Sequence, residues 1–94
     1  MYKITKIIEI QPYFIICEVN DVFVKKINVE DLMKNHSHFK GIENLKNNEI
    51  FNSAEIGIMG EIFWKDLIEI NSEIWNYDIS PEFIMEFGED IKMA

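Results

Sequence analysis

Arginine is absent from this chain of 94 residues, and lysine supplies all nine of its basic side chains. Against them stand 17 acids, which leaves a net charge of -8. A field of that sign repels phosphate, and nucleic-acid affinity rests largely on Lys and Arg neutralising it. Direct binding to DNA or RNA is therefore not expected. Cysteine occurs once, as Cys17 inside an apolar run. A lone cysteine closes no internal disulfide, which suits a reducing, cytoplasmic setting, and it reads as a small buried hydrophobe. No apolar run reaches the roughly 18 residues of a membrane span. The opening MYKITKIIEI alternates and carries Glu9, unlike a signal peptide.

Recognisable chemistry is scarce as well. Glycine-rich phosphate loops and His-Glu-x-x-His are missing. His36-Ser37-His38 is the only histidine pair. It lies in a polar stretch without the further ligands a structural zinc needs, so no metal or other cofactor is expected. Ser53, Ser72 and Ser80 fall at turns or caps, away from any nucleophile elbow. The acids are spread along the chain, and no pair is singled out by an apolar setting. No catalytic residue is assigned, and an enzyme is the last-ranked reading.

What the chain has is alternation. Hydrophobic residues make up 48% and charged residues 28%, the balance of one globular domain spanning residues 1–94. Tyr2, Ile4, Ile8 and Ile10 share one parity, which predicts a strand with one buried face. Tyr13 to Val19 is nearly continuous in apolar residues and predicts a central strand covered on both faces. Asn20-Asp21 predicts a tight turn, and Val22 to Val29 the third strand of an antiparallel meander. Glu30 to Lys34 and Ile42 to Phe51 suit short helical segments, with NHSHFKG as a loop between them. Ala54 to Met59, Glu61 to Ile70 and Glu73 to Asp78 read as strands, separated by turns at Gly60 and Asn71-Ser72.

The fold class predicted is α+β. A mostly antiparallel sheet of about six strands forms two hairpin or meander units, with short helices between them and one at the C-terminus.

The stretch NYDISPEF, Asn76 to Phe83, marks the last junction of strand and helix. Ser80 is a favoured N-cap and Pro81 suits the first helical position, where its missing N–H costs nothing. Glu82 places negative charge at the positive end of the helix. The helix is expected over Pro81 to Phe87, with Gly88 as a left-handed cap and residues 88–94 as a loose tail. Capping leaves Asp78 unexplained. It is a second cap, a turn former or a recognition carboxylate. Trp64 reads as core. Trp75 and Tyr77 stand open between core and interface, since large amphipathic aromatics serve either. The candidate binding residues are Trp64, Trp75, Tyr77, Asp78 and Glu82.

Four short motifs lie in order along the chain: the turn Asn20-Asp21, the segment Asn28 to Leu32, Gly60 to Trp64, and Asp78 to Glu82. In that order they resemble a family of small bacterial proteins known as a domain of unknown function, number two-four-four-two. Two departures stand out. Asn28 replaces an aspartate, and KDLIEINSEIWNY is longer than the family's link from tryptophan to aspartate, which implies an inserted hairpin. The resemblance implies a compact α+β domain, often encoded beside another short protein and acting as the antitoxin-like or regulatory half of a pair.

Two functions follow as expectations. The first is a non-catalytic module that binds another protein, a basic one, through a sheet edge or the late aromatics. The edge at Lys3 and Lys6 and the hairpin around Trp75 and Tyr77 are its candidate surfaces, and an edge also admits a second copy of the chain. The alternative is a small-ligand or nucleotide binder of phage type. There Trp64, Trp75, Tyr77 and Phe83 would stack on a flat ring and Lys65 or Lys25 would meet an anion. A minor variant is an acidic mimic of DNA.

Overall fold

The structure, a computed structural model, describes residues 1–92. The chain is α+β. Strands β1 (Ile4–Gln11), β2 (Phe14–Val19) and β3 (Phe23–Asn28) run as an antiparallel meander. Helix α1 (Val29–Asn35), a 3₁₀ turn (Ile42–Lys46) and the single turn α2 (Asn48–Phe51) follow. Then come β4 (Glu55–Ile56), β5 (Ile62–Ile70), β6 (Glu73–Ile79), α3 (Pro81–Phe87) and β7 (Glu89–Asp90). The described residues hold two sheets, ordered β1-β2-β3-β7 and β4-β5-β6.

The turns obey local chemistry. Asn20 and Asp21 both take positive φ, 54° and 60°, and so do Asn71 and Ser72, at 50° and 67°. That is the backbone of hairpin turns matching the right-handed twist of their strands. Pro12 and Tyr13 close the β1–β2 hairpin, and Tyr13 takes φ 79° although it carries a bulky side chain.

The parity expected of β1 is corrected by the register. Ile4 faces Val19, Ile7 faces Cys17 and Ile10 faces Ile15, with irregularities between Ile4 and Lys6 and between Ile7 and Glu9. Each irregularity inserts one extra residue, which turns the following side chains over. The core side of β1 is thus Ile4, Ile7 and Ile10, a spacing of three, and Ile8 is left off it. β2 differs too. Ile15, Cys17 and Val19 are buried, but Phe14, Ile16 and Glu18 on the other face are half-exposed, because no layer covers that side.

Of the six strands expected, the fourth shrinks to Glu55–Ile56. Residues 57–60 form a turn instead, with the Gly57 N–H donating to the Glu61 carbonyl (2.7 Å) and Gly60 N–H to the Gly57 carbonyl (3.0 Å). A seventh strand, β7, lies in the segment expected to be loose. Glu89 and Asp90 pair with Lys26 and Lys25, and Asp90 makes an ion pair of 2.6 Å to the buried Lys25 ammonium. Residues 93–94 of that expected tail lie outside the described residues. Gly88 is extended, φ -74°, not left-handed. Its use is close approach, since a Cβ there would lie 2.4 Å from the Ile84 carbonyl oxygen. The chain leaves α3 directly into β7, so no reversal is needed.

One apolar cluster joins the inner sides of both sheets with the helices. Ile15, Val19 and Ile27 meet Leu32, Leu45, Phe51, Ile62, Trp64, Ile79 and Ile84. Among the described residues no helix is long and apolar enough to cross a membrane.

Candidate functional site

The inserted hairpin β5–β6 builds the site. Opposite Asn76, β5 spends three residues, Lys65, Asp66 and Leu67, between the pairs Trp64–Tyr77 and Ile68–Trp75. Asp66 takes φ 53°, and its N–H donates to the Asn76 side-chain oxygen at 3.0 Å. The bulge lets Leu67 and Ile68, neighbours in sequence, both be buried. The loop after α1 docks beside it. Glu69 N–H donates to the Lys40 carbonyl (3.0 Å), and the Lys40 ammonium lies 2.7 Å from the Glu69 carboxylate. Gly41, at φ 104°, permits the approach: a Cβ there would sit 2.4 Å from the Leu67 carbonyl oxygen.

This docking brings His36 against β6. Its Nδ1 lies 2.6 Å from the Tyr77 hydroxyl, and its ring stacks on Phe83 with centroids 5.2 Å apart. Burial, and then the nearby His38, hold the His36 pKa below its ordinary value. Burial first, Asp78 second, push the Tyr77 pKa above the usual phenol range. Ser80 caps α3 by accepting from Phe83 N–H (3.1 Å), which sets the Phe83 ring over the same space. The result is a groove of about 380 Å³ whose lining includes His36, Phe39, Trp75, Tyr77, Ser80 and Phe83. A second hollow of about 330 Å³ lies on the outer side of β6, among Ile56, Ile58, Glu61, Phe63 and Asp78. Asp78 borders both.

The five residues expected to bind are divided by this geometry. Trp64 is 0% exposed. Its ring lies between Phe51 (5.8 Å) and Tyr77 (5.5 Å), and its indole N–H donates to the Phe51 carbonyl at 3.0 Å. It is core, the reading given it above, and its burial takes it out of the binding set. Tyr77 is 2% exposed and forms the groove's back wall. Trp75 is 51% exposed at the mouth. Asp78 is exposed and caps nothing, because Ser80 does the capping. Glu82 is exposed and lines a different hollow, with Tyr2, Met59 and Glu61, rather than the aromatic groove. Lys25 is buried against Asp90 and lines no hollow described here, whereas Phe83 belongs to the groove.

His36 and Phe39 were missed. A polar loop gives no sequence signal for which strand it will lie on. Among the described residues no three His, Cys, Asp or Glu side chains gather as a metal site.

The edges of the sheets differ. β1 is bulged twice, while β4 and β7 have two residues each. β6 is seven residues long, pairs only with β5, and is exposed at Glu73, Ile74, Trp75, Asn76 and Asp78. The pair beside a two-residue turn exchanges both ladder bonds, so Glu73 faces β5 and Ile74 turns its N–H outward. Comparison of the chain with family models, with curated proteins and with solved structures returned no match.

Proposed function

We propose that the chain is a non-catalytic module that binds a basic protein by accepting an extended strand along β6. The observation that carries this reading is the uncovered edge itself. Natural sheets blunt their edges with short strands, bulges, lysine or proline. The other three edges described here are bulged or short, whereas β6 has seven residues with neither lysine nor proline. A strand added there would lay alternate side chains beside the aromatic groove. The net charge of -8 steers a basic partner and speeds encounter. The two-protein, antitoxin-like role implied by the family resemblance fits such a partner, and rests on the four short motifs.

The test is Ile74→Pro. Proline is tolerated on an edge where the N–H faces solvent, so this change removes an outward donor without cutting the β5–β6 ladder. The wild-type chain, tagged and used at moderate salt, should recover a small basic protein that the folded variant does not. Equal recovery by both, or recovery of nothing by either, defeats the reading.

The groove's volume gives a second reading, a small-ligand site, because such sites run from roughly 300 Å³ upward. Its lining has no lysine and includes Asp78, which disfavours a nucleotide's phosphates. A thermal-shift screen with nucleotides tests it, since saturating ligand raises stability by mass action.

A further inference from the structure

We propose that the aromatic groove receives an arginine side chain, presented by an extended basic segment lying along β6. This rests on the strand-addition reading of β6 and names what the added strand must carry. The groove is lined by Phe39, Trp75 and Phe83, with the buried Tyr77 as its back wall, and ring faces attract cations through their quadrupole. The pKa of His36, which also lines it, is held below its ordinary value by burial and then by His38, which disfavours a competing positive charge there. The lining contains no lysine, and Asp78 supplies a carboxylate at the border.

The molecule already packs a cation in this way elsewhere. The Lys26 ammonium sits 4.4 Å from the centre of the Phe14 ring. Arginine fits the groove better than lysine, because a planar, weakly hydrated guanidinium stacks flat on a ring while keeping its donors for a carboxylate. A purely apolar side chain would gain nothing from the acidic field of the chain, whose net charge is -8.

The probe is N-acetyl-arginine N-methylamide, titrated into the labelled protein and followed by nuclear magnetic resonance. Shifts should concentrate at the Trp75 indole, Tyr77 and Phe83. The uncharged citrulline analogue should bind about tenfold more weakly, the order of one cation–ring contact. Trp75→Ala, a half-exposed site that leaves the core untouched, should abolish the response while circular dichroism stays unchanged. Equal response to arginine and citrulline, or shifts scattered over the acidic surface, overturns the proposal.

The two readings separate cleanly. If the probe is silent yet Ile74→Pro abolishes capture of the partner, the edge is used and the arginine is not. If the probe binds the groove but Ile74→Pro leaves capture intact, strand addition fails and this inference falls with it.

Discussion

At the scale of single residues, the two tryptophans show how one residue type meets two fates. Trp64 and Trp75 both lie on the inserted hairpin, but Trp64 is closed in by Phe51 and Tyr77 while Trp75 stands half-exposed at the mouth of the groove. Trp64→Ala should cost about 3–5 kcal/mol, from lost transfer and a cavity that cannot collapse. Trp75→Ala should cost under about 1 kcal/mol. Urea unfolding of both variants checks this, and comparable losses would refute the assignment.

The His36–Tyr77 pair makes a second expectation. Folding lowers the His36 pKa from 6.5, so the native state binds fewer protons than the unfolded chain as pH drops. Stability from this group is full above pH 6.5 and declines as pH falls through that value toward the folded one. His36→Gln should flatten the slope of stability just below pH 6.5, a region above most carboxylate titration. Tyr77 works in the opposite direction. Its folded pKa is raised above 10, so its contribution is full below pH 10 and is lost as pH rises past it. The aromatic types at Trp75 and Tyr77 were legible as candidates. Their partition was not, because it depends on a loop some forty positions away in sequence, His36 to Tyr77.

At the scale of elements, what was local in physics was legible. α3 begins and ends where Ser80, Pro81 and the apolar spacing place it, and the side-chain oxygen of Ser80 accepts the expected cap bond. The turns at Asn20-Asp21 and Asn71-Ser72 take the positive φ their residue types allow. Strand β1 was legible as a strand but not in its faces. A bulge depends on pairing with a neighbour, and alternation within one segment carries no trace of it. The register therefore makes a sharp forecast. Ile7, which packs on the core, should tolerate asparagine poorly, losing about 1–3 kcal/mol. Ile8, left off the core side by the second bulge, should lose under about 1 kcal/mol. A single period-two strand requires the reverse order, so unfolding of the two variants decides between the registers.

At the scale of the whole molecule, charge and edge have to be taken together. A net charge of -8 on so small a body keeps copies apart at neutral pH, and salt at 0.1 M screens that repulsion beyond roughly 10 Å. The β6 edge pairs with no further strand and carries neither lysine nor proline, its own charges being Glu73 and Asp78. Its apolar neighbours Ile70, Ile74 and Trp75 are all exposed, so contact between two such edges would bury surface as well as pair backbone. The sequence pI is about 4.6, and near it the repulsion vanishes. The chain should then self-associate through β6 while still folded, and disperse again when returned to pH 7. Ile74→Lys puts a cation on the outer edge, where the side chain blocks close approach of a second strand and shifts the neutral point upward. At its own neutral point that variant should stay smaller than wild type. Sedimentation velocity across the two pH values, with circular dichroism to verify folding, measures both effects. A wild-type chain that remains monomeric at its neutral point, or a variant that assembles equally well, would show that β6 is not the open edge the sheet order makes it.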